Sequence, residues 1–422
     1  VDLEISDAIA RKVLSFALQL KNEMLNNKPK TAIFSPVSIM SALAIILIGS
    51  KGARLANLTD LFGQPDLQTM HLQFALMLKD VVQPIKENTS PLRELDPWHN
   101  DSTNSSLLKY SMRGNGAQSV RLANGLFLQL GYRLKSAQRQ LITEYYRPDI
   151  LHVDFKERPV ESINAINTWI NLVSNDQVDE MLKHSLDASS DRVFVTTMSM
   201  KAIWEMVFAT GLTKYKNFFR NGVYGKGSDK PISVNMMTAA GAFPYYLSFR
   251  LGCHIIGIPY EGDMTTMYLI KPYNSSVKVL KEFQKKLTAD DIEDMIKNMR
   301  RRSAIVVVPK LSFDESLALR FPLERMGLTS IFGPSKNRKA GSKGPQSTQS
   351  AKDLTVTQIF QSIHLSIDEK ETEISDGNIG VEVRSAADAT FLANEPFILL
   401  VRNDLTKLPL FYGTVFEPLT AK

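Results

Sequence analysis

The sequence predicts an α+β fold built as one large domain. The first eighty residues carry apolar side chains at helical spacing, and the second half is rich in short β-branched runs. No junction between them has the composition of a flexible linker. Length alone, at 422 residues, would favour two or three domains. The interleaving of helix and strand signals argues for one. Hydrophobic residues make up 44% of the chain, so a large core needs no disulfide, and bulk disorder is excluded.

Over residues 8–25, Ala8, Val13, Phe16, Ala17, Leu20 and Met24 mark one buried helix face, which ends at Asn26-Asn27-Lys28-Pro29. Ser35-Pro36-Val37-Ser38 opens a second helix, with Ser35 as N-cap and Pro36 in the first turn. Its apolar body, residues 39–48, is half the roughly 20 residues that a membrane span needs. It reads as a buried core helix, and no membrane partner is expected. Residues 72–82 are a further helix. The pattern then stops over residues 83–118, which are rich in Ser, Asn, Asp, Gly and Pro and read as a long surface insertion.

Residues 119–128 resume as a strand. Residues 162–172 are helical, with Ile166, Trp169, Ile170 and Val173 on one side. Strands follow at 193–197, 243–249, 255–259, 265–270 and 305–308, and a helix at 290–302 ends in a basic run. Residues 333–352 form a second low-complexity insertion, rich in Ser, Lys and Gly.

Several chemistries are missing. There is no phosphate-binding GxxxxGK[ST] loop, no HExxH and no GxSxG, and Gly222 to Ser228 reads as a turn. The histidines His71, His99, His152, His184, His254 and His364 lack metal-ligand spacing, so neither metal nor cofactor is expected. Cys253 is the single cysteine, which excludes an intrachain disulfide. It lies beside His254, but adjacent strand residues point to opposite faces, so the two make a poor nucleophile–base pair. The expectation is a protein that is not an enzyme.

Fifty Lys and Arg against 44 Asp and Glu give a net charge of +6, which permits a polyanion partner without requiring one. The basic residues cluster at Lys297, Arg300, Arg301 and Arg302, and at Lys336, Arg338, Lys339, Lys343 and Lys352. These read as a helix end and a solvated loop. Without interleaved aromatics, they do not suggest nucleic acid. Sequons occur at Asn57, Asn88, Asn100, Asn104 and Asn274, three of them in the first insertion, which fits a glycosylated loop. The chain opens at Val1 with no export signal, as a processed secreted protein or a trimmed one would.

The segments, in order, resemble one family. Phe34-Ser35-Pro36-Val37-Ser38 and Ala123-Asn124-Gly125-Leu126-Phe127 are similar to blocks of the serpins. So are Val153-Asp154-Phe155, Ile166-Asn167-Thr168-Trp169, Trp204 with Phe208, Val234-Asn235-Met236-Met237, Pro259-Tyr260 and Val308-Pro309-Lys310. Asn394-Glu395-Pro396-Phe397 through Arg402 to Phe411-Tyr412-Gly413 resembles the serpin signature closely. The resemblance covers nearly the whole chain apart from the two insertions. It implies three β-sheets, eight or nine helices and an exposed reactive-centre loop. It also implies a mechanical action: a serine protease cleaves the loop, is held as an acyl-enzyme, and is dragged away as the loop inserts into the main sheet.

By family spacing the loop spans about residues 369–390. The scissile bond falls near Ser385–Ala386, with Arg384 as the residue a trypsin-like protease prefers. Lys310 and Glu369 match the family's ion pair at the start of the loop. The hinge after Glu369-Lys370 departs from the pattern. Glu371 stands where the family has Gly, and Thr372 is followed by Glu373-Ile374-Ser375-Asp376-Gly377-Asn378 in place of small residues. Strand alternation puts Thr372, Ile374, Asp376 and Asn378 on the face that an inserted serpin loop lays against the core. Burying Asp376 unpaired would be costly or would force its protonation. Beneath the main sheet, Thr196 and Gln361 replace the family's Asn and His near Ser35 and Ser38.

The expectation is therefore a secreted, monomeric serpin that does not inhibit by loop insertion. One alternative is a suicide substrate for a trypsin-like serine protease through Arg384 or Ser385. Another is a ligand carrier or polyanion binder. The style of divergence resembles insect serpins, which implies the haemolymph.

Overall fold

The computed structural model describes residues 2–25, 30–64, 66–83, 95–101, 118–174, 186, 190–224, 230–262, 264–333, 354–369 and 387–418. Helix α1 (Leu3–Leu25) buries Ile9, Val13, Phe16, Ala17 and Leu20 along one stripe. Strand β1 (Ala32–Phe34) leads into α2 (Pro36–Leu47), all twelve residues of which are buried. Ser35 caps α2, its side chain accepting from the Ser38 N–H. Helix α3 (Gly52–Phe62) ends on Gly63 at φ +64°, and α4 (Leu67–Val82) starts on the Asp66 cap.

Strand β2 (Gln118–Gln129), α5 (Ser136–Tyr145), β3 (Asp149–Val153), α6 (Pro159–Ser174) and β4 (Arg192–Ala202) follow. The next run is β5 (Lys214–Phe218), β6 (Ile232–Ser248), β7 (Cys253–Pro259), β8 (Thr265–Pro272), α7 (Val277–Lys286) and α8 (Ala289–Asn298). The chain continues through β9 (Arg300–Pro309), β10 (Leu311–Ala318), α9 (Arg320–Arg325), β11 (Gln358–Ile367), β12 (Ala389–Leu392), β13 (Phe397–Asn403) and β14 (Pro409–Val415).

Among the described residues the strands form two sheets. One has five strands in the order β10-β11-β4-β2-β3. The other has nine, in the order β1-β14-β13-β8-β7-β6-β9-β12, with β5 also on β6. The resemblance implied three sheets. The nine-stranded sheet is continuous because β6 pairs β5 and β9 over its first part and β7 over its last residues.

Helix α2 packs against β2, β4 and β14, between the two sheets, which explains why it is apolar all round. Helix α6 covers the other face of the five-stranded sheet, where Ile166, Trp169 and Ile170 meet Phe127, Val193 and Val195. Covered on both faces, β4 reads as a nearly continuous buried run.

Two expectations change. The helix expected at 290–302 ends at Asn298, and Arg300, Arg301 and Arg302 open β9 instead. A capping box of Thr288 and Asp291 fixes the helix start, while Ile305 to Val308 draw the preceding arginines into their strand. The stretch 83–118 is also not surface throughout. Residues 95–101 dock into the fold, with Trp98 fully buried. The rest of that stretch, 84–94 and 102–117, lies outside the described residues, as does 334–352 of the second insertion.

Candidate functional site

At the centre of the five-stranded sheet, strand register places Asn124, Thr196 and Gln361 side by side on β2, β4 and β11. All three face the start of α2. Gln361 Nε2 donates to the Ser35 carbonyl and the Ser38 hydroxyl, both at 2.7 Å, and its Oε1 accepts from the Ser35 N–H at 3.1 Å. Thr196 Oγ1 donates to the Ser38 carbonyl at 3.2 Å. Asn124 Nδ2 donates to Ser41 Oγ at 3.0 Å, and Ser41 Oγ donates to the Ser38 carbonyl at 2.7 Å.

The four residues expected here, Ser35, Ser38, Thr196 and Gln361, are thus in direct contact. Ser41 and Asn124 were not anticipated. Their signals were present: Ser35, Ser38 and Ser41 recur every third residue from the cap of α2 onward, and Asn124 interrupts the apolar run of Leu122, Ala123, Leu126, Phe127 and Leu128. Such a satisfied buried network ties the central strands to α2 at one level.

The second group lies where β11 ends. Glu369 is buried, and its carboxylate pairs with Lys310 Nζ at 2.6 Å and accepts from Thr213 Oγ1 at 3.2 Å. Burial alone would raise the Glu369 carboxyl. The hydrogen bonds and charge of Lys310, together with Thr213, outweigh it and hold the group below the usual carboxylate range. The pair is not the solvated surface contact that two charged residues suggest by themselves, since the Glu369 side chain is 7% exposed. One residue earlier, the Asp368 carbonyl accepts from Trp204 Nε1 at 2.8 Å. The Trp204 ring stacks on Tyr260 with centroids 4.2 Å apart.

Between these groups β4 and β11 pair directly, in parallel, from Val193–Gln358 to Met200–Leu365. The remaining loop positions, the hinge residues Lys370, Glu371, Thr372, Glu373, Ile374, Ser375, Asp376, Gly377 and Asn378 and the scissile residues Arg384, Ser385 and Ala386, lie outside the described residues. The chain returns as β12, parallel to β9.

Other candidates are placed as follows. Burial raises the Cys253 thiol to about 12, and the sulfur contacts Met295 Sδ at 3.6 Å. His254 instead pairs with the Tyr245 hydroxyl at 2.8 Å, so the neighbours are not partners. Arg301 is bound to Glu205, while Lys297, Arg300 and Arg302 are exposed. Asn57, Asn100 and Asn274 are exposed; Asn88 and Asn104 lie outside the described residues.

Residues 11–418 match the family described as Serpin (serine protease inhibitor). The chain is a serpin. It is 36% identical to Serine protease inhibitor 28Dc of Drosophila melanogaster, over 99% of this chain and 81% of that protein. It is 25% identical to Leukocyte elastase inhibitor A of Mus musculus, over 96% of this chain and 97% of that one. Among solved structures, uncleaved ovalbumin superposes with a TM-score of 0.76 at 20% identity, covering 97% of this chain and all of that one. By the family pattern, the five-stranded sheet of this serpin corresponds to the main sheet, and its β4–β11 seam to the place where an inserted loop would lie.

Proposed function

We propose that this serpin is a secreted member whose reactive loop is cut by proteases without trapping them. The observation that carries the reading is the row of side chains along the seam. Thr196, Met198 and Met200 on β4 and Gln361, Ile363 and Leu365 on β11 are buried on the face toward α2. Thr196 and Gln361 are already engaged with α2. An inserted hinge would set Asp376 and Asn378 against this row, which contains no cation to pair with a carboxylate. Asp376 would then be a buried charge or a proton-binding group. Glu371 in place of Gly removes backbone freedom where the chain must turn. Trapping requires insertion to outrun deacylation, and each 1.36 kcal/mol or so on the barrier slows it about tenfold.

Trypsin tests the reading on a denaturing gel. Cleavage near Arg384 without a covalent complex is expected, followed by no large rise in melting temperature. An SDS-stable complex overturns it.

A second reading is inhibition of a trypsin-like serine protease through Arg384 or Ser385. The Drosophila relative's name as a serine protease inhibitor favours it, and the same gel decides. The exposed Asn57, Asn100 and Asn274 support secretion and glycosylation, and the similarity to a fly protein supports the haemolymph as compartment. A glycosidase-sensitive mass shift after secretion from insect cells tests both. The exposed Lys297, Arg300 and Arg302 support a polyanion contact, which elution from heparin below physiological salt would rule out.

A further inference from the structure

The short turn at 95–101 touches the machinery at the start of the loop through a chain of contacts. Trp98 is fully buried, stacks on His99 with centroids 3.6 Å apart, and carries the Arg301 guanidinium over its ring at 5.2 Å. Asp101 accepts from the Arg301 N–H at 3.2 Å. On the far side of the turn, Asp96 accepts from Arg402 Nη1 at 2.8 Å, and Arg402 also binds Glu293 and the buried Asp404. The turn is therefore pinned to β9 and to β13 at once.

Arg301 then reaches onward. Its two terminal nitrogens grip both oxygens of Glu205, at 2.8 and 3.0 Å, and Nη1 also donates to the Ala242 carbonyl. Glu205 is held by its own N–H on the Pro259 carbonyl, at the end of β7. It directly follows Trp204, which holds the Asp368 carbonyl beside Glu369. The order of contact is Trp98, Arg301, Glu205, Trp204, Asp368.

We propose that the 95–101 turn is a brace on the upper end of the main sheet, with Trp98 and Glu205 as positioning residues that resist parting of β4 from β11. Opening the seam must shift Trp204 relative to Asp368, because the two sit on the separating strands' continuations. A guanidinium clamped between an indole ring and a bidentate carboxylate fixes Glu205, and with it the backbone that carries Trp204. The first insertion thereby sets how readily the sheet accepts a strand. The brace does not depend on the hinge sequence, since a peptide supplied in solution can stand in for the loop.

The test is the rate at which an acetylated synthetic peptide of small residues, long enough to span β4, is taken up by the intact chain. Native gels and the accompanying rise in melting temperature read it. Trp98→Leu keeps apolar bulk but removes the ring, and Glu205→Gln keeps shape but removes the charge. Each is expected to take up peptide about tenfold faster than the parent, the effect of roughly 1.4 kcal/mol on a barrier. The double variant should gain little over either single, because the residues act in series. Phe62→Leu, in the distant α3–α4 packing, controls for general destabilisation. Should Trp98→Leu fail to fold, Glu205, whose side chain is 27% exposed, carries the test. Equal uptake in parent and variants, no uptake in any of them, equal acceleration by Phe62→Leu, or full additivity overturns the brace.

Discussion

Gln361 commits its whole amide to the start of α2, with three hydrogen bonds to Ser35 and Ser38 in a fully buried site. Gln361→Leu would remove all three bonds and strand the buried Ser35 N–H, while the Ser35 carbonyl would keep the Ile39 N–H and the Ser38 hydroxyl. A loss of about 2–4 kcal/mol is expected, read as a lower urea midpoint. His71 gives a pH signature. Burial beside Tyr146 and Tyr145 lowers its value from 6.5 to about 4. The native state therefore favours neutral imidazole, and the unfolded state binds the proton first. Its contribution is full above about pH 6.5 and is lost as pH falls through about 4. Glu369 adds the same sign at lower pH, since its folded value lies below the unfolded one. Melting temperature should fall from pH 7 to pH 4, and His71→Gln should flatten the upper part of that fall. The members of the central cluster that the sequence revealed were those at family-like places. Asn124 lies in one of the family blocks too, but its place beside Thr196 comes from strand register, which is a property of paired strands rather than of one segment.

Helix α6 rests on β2 at one tight point. A Cβ added at Gly125 would lie 3.0 Å from the Trp169 ring and 2.9 Å from Phe127. Gly125→Ala should force α6 outward and cost about 1–3 kcal/mol, with a shift in Trp169 fluorescence. Trp169 is further fixed by its Nε1 on the Asp149 carboxylate at 2.8 Å, so Asp149→Ala should loosen the same end of α6. Elements with strong periodicity were legible: residues 8–25, 119–128 and 255–259 correspond to α1, β2 and β7. The 290–302 helix was drawn too long because Lys297 to Arg302 suit a helix C-terminus as well as a strand edge. The docked turn at 95–101 was hidden because its neighbours are polar. A Pro-Trp-His sequence inside such a stretch was the only sign of a buried anchor.

At the scale of the molecule, the proposed function turns on the seam between β4 and β11. On the proposed reading, Glu371→Gly with Asp376→Ala should convert cleavage without trapping into trapping. A covalent complex with trypsin, and a higher melting temperature after cleavage, are the expected outcomes for that double variant alone. If the hinge is not what limits insertion, the variant will be cut as the parent is. The general architecture was legible from the ordered family blocks, whereas the hinge's effect depends on a buried row whose facing residues come from distant strands.

That seam also has a history in the making of the chain. The bond between Gln361 and Ser35 spans 326 residues. Until residue 361 has been made, the Ser35 end of α2 has only Thr196 of its two sheet partners and β4 presents an open edge. Contacts of such long range are slow to form. Nascent chains waiting for β11 are therefore the stage at which one molecule's strand edge is open to another's. Chaperone demand during biosynthesis should consequently track the length of the delay before residue 361 emerges, not the stability of the finished fold.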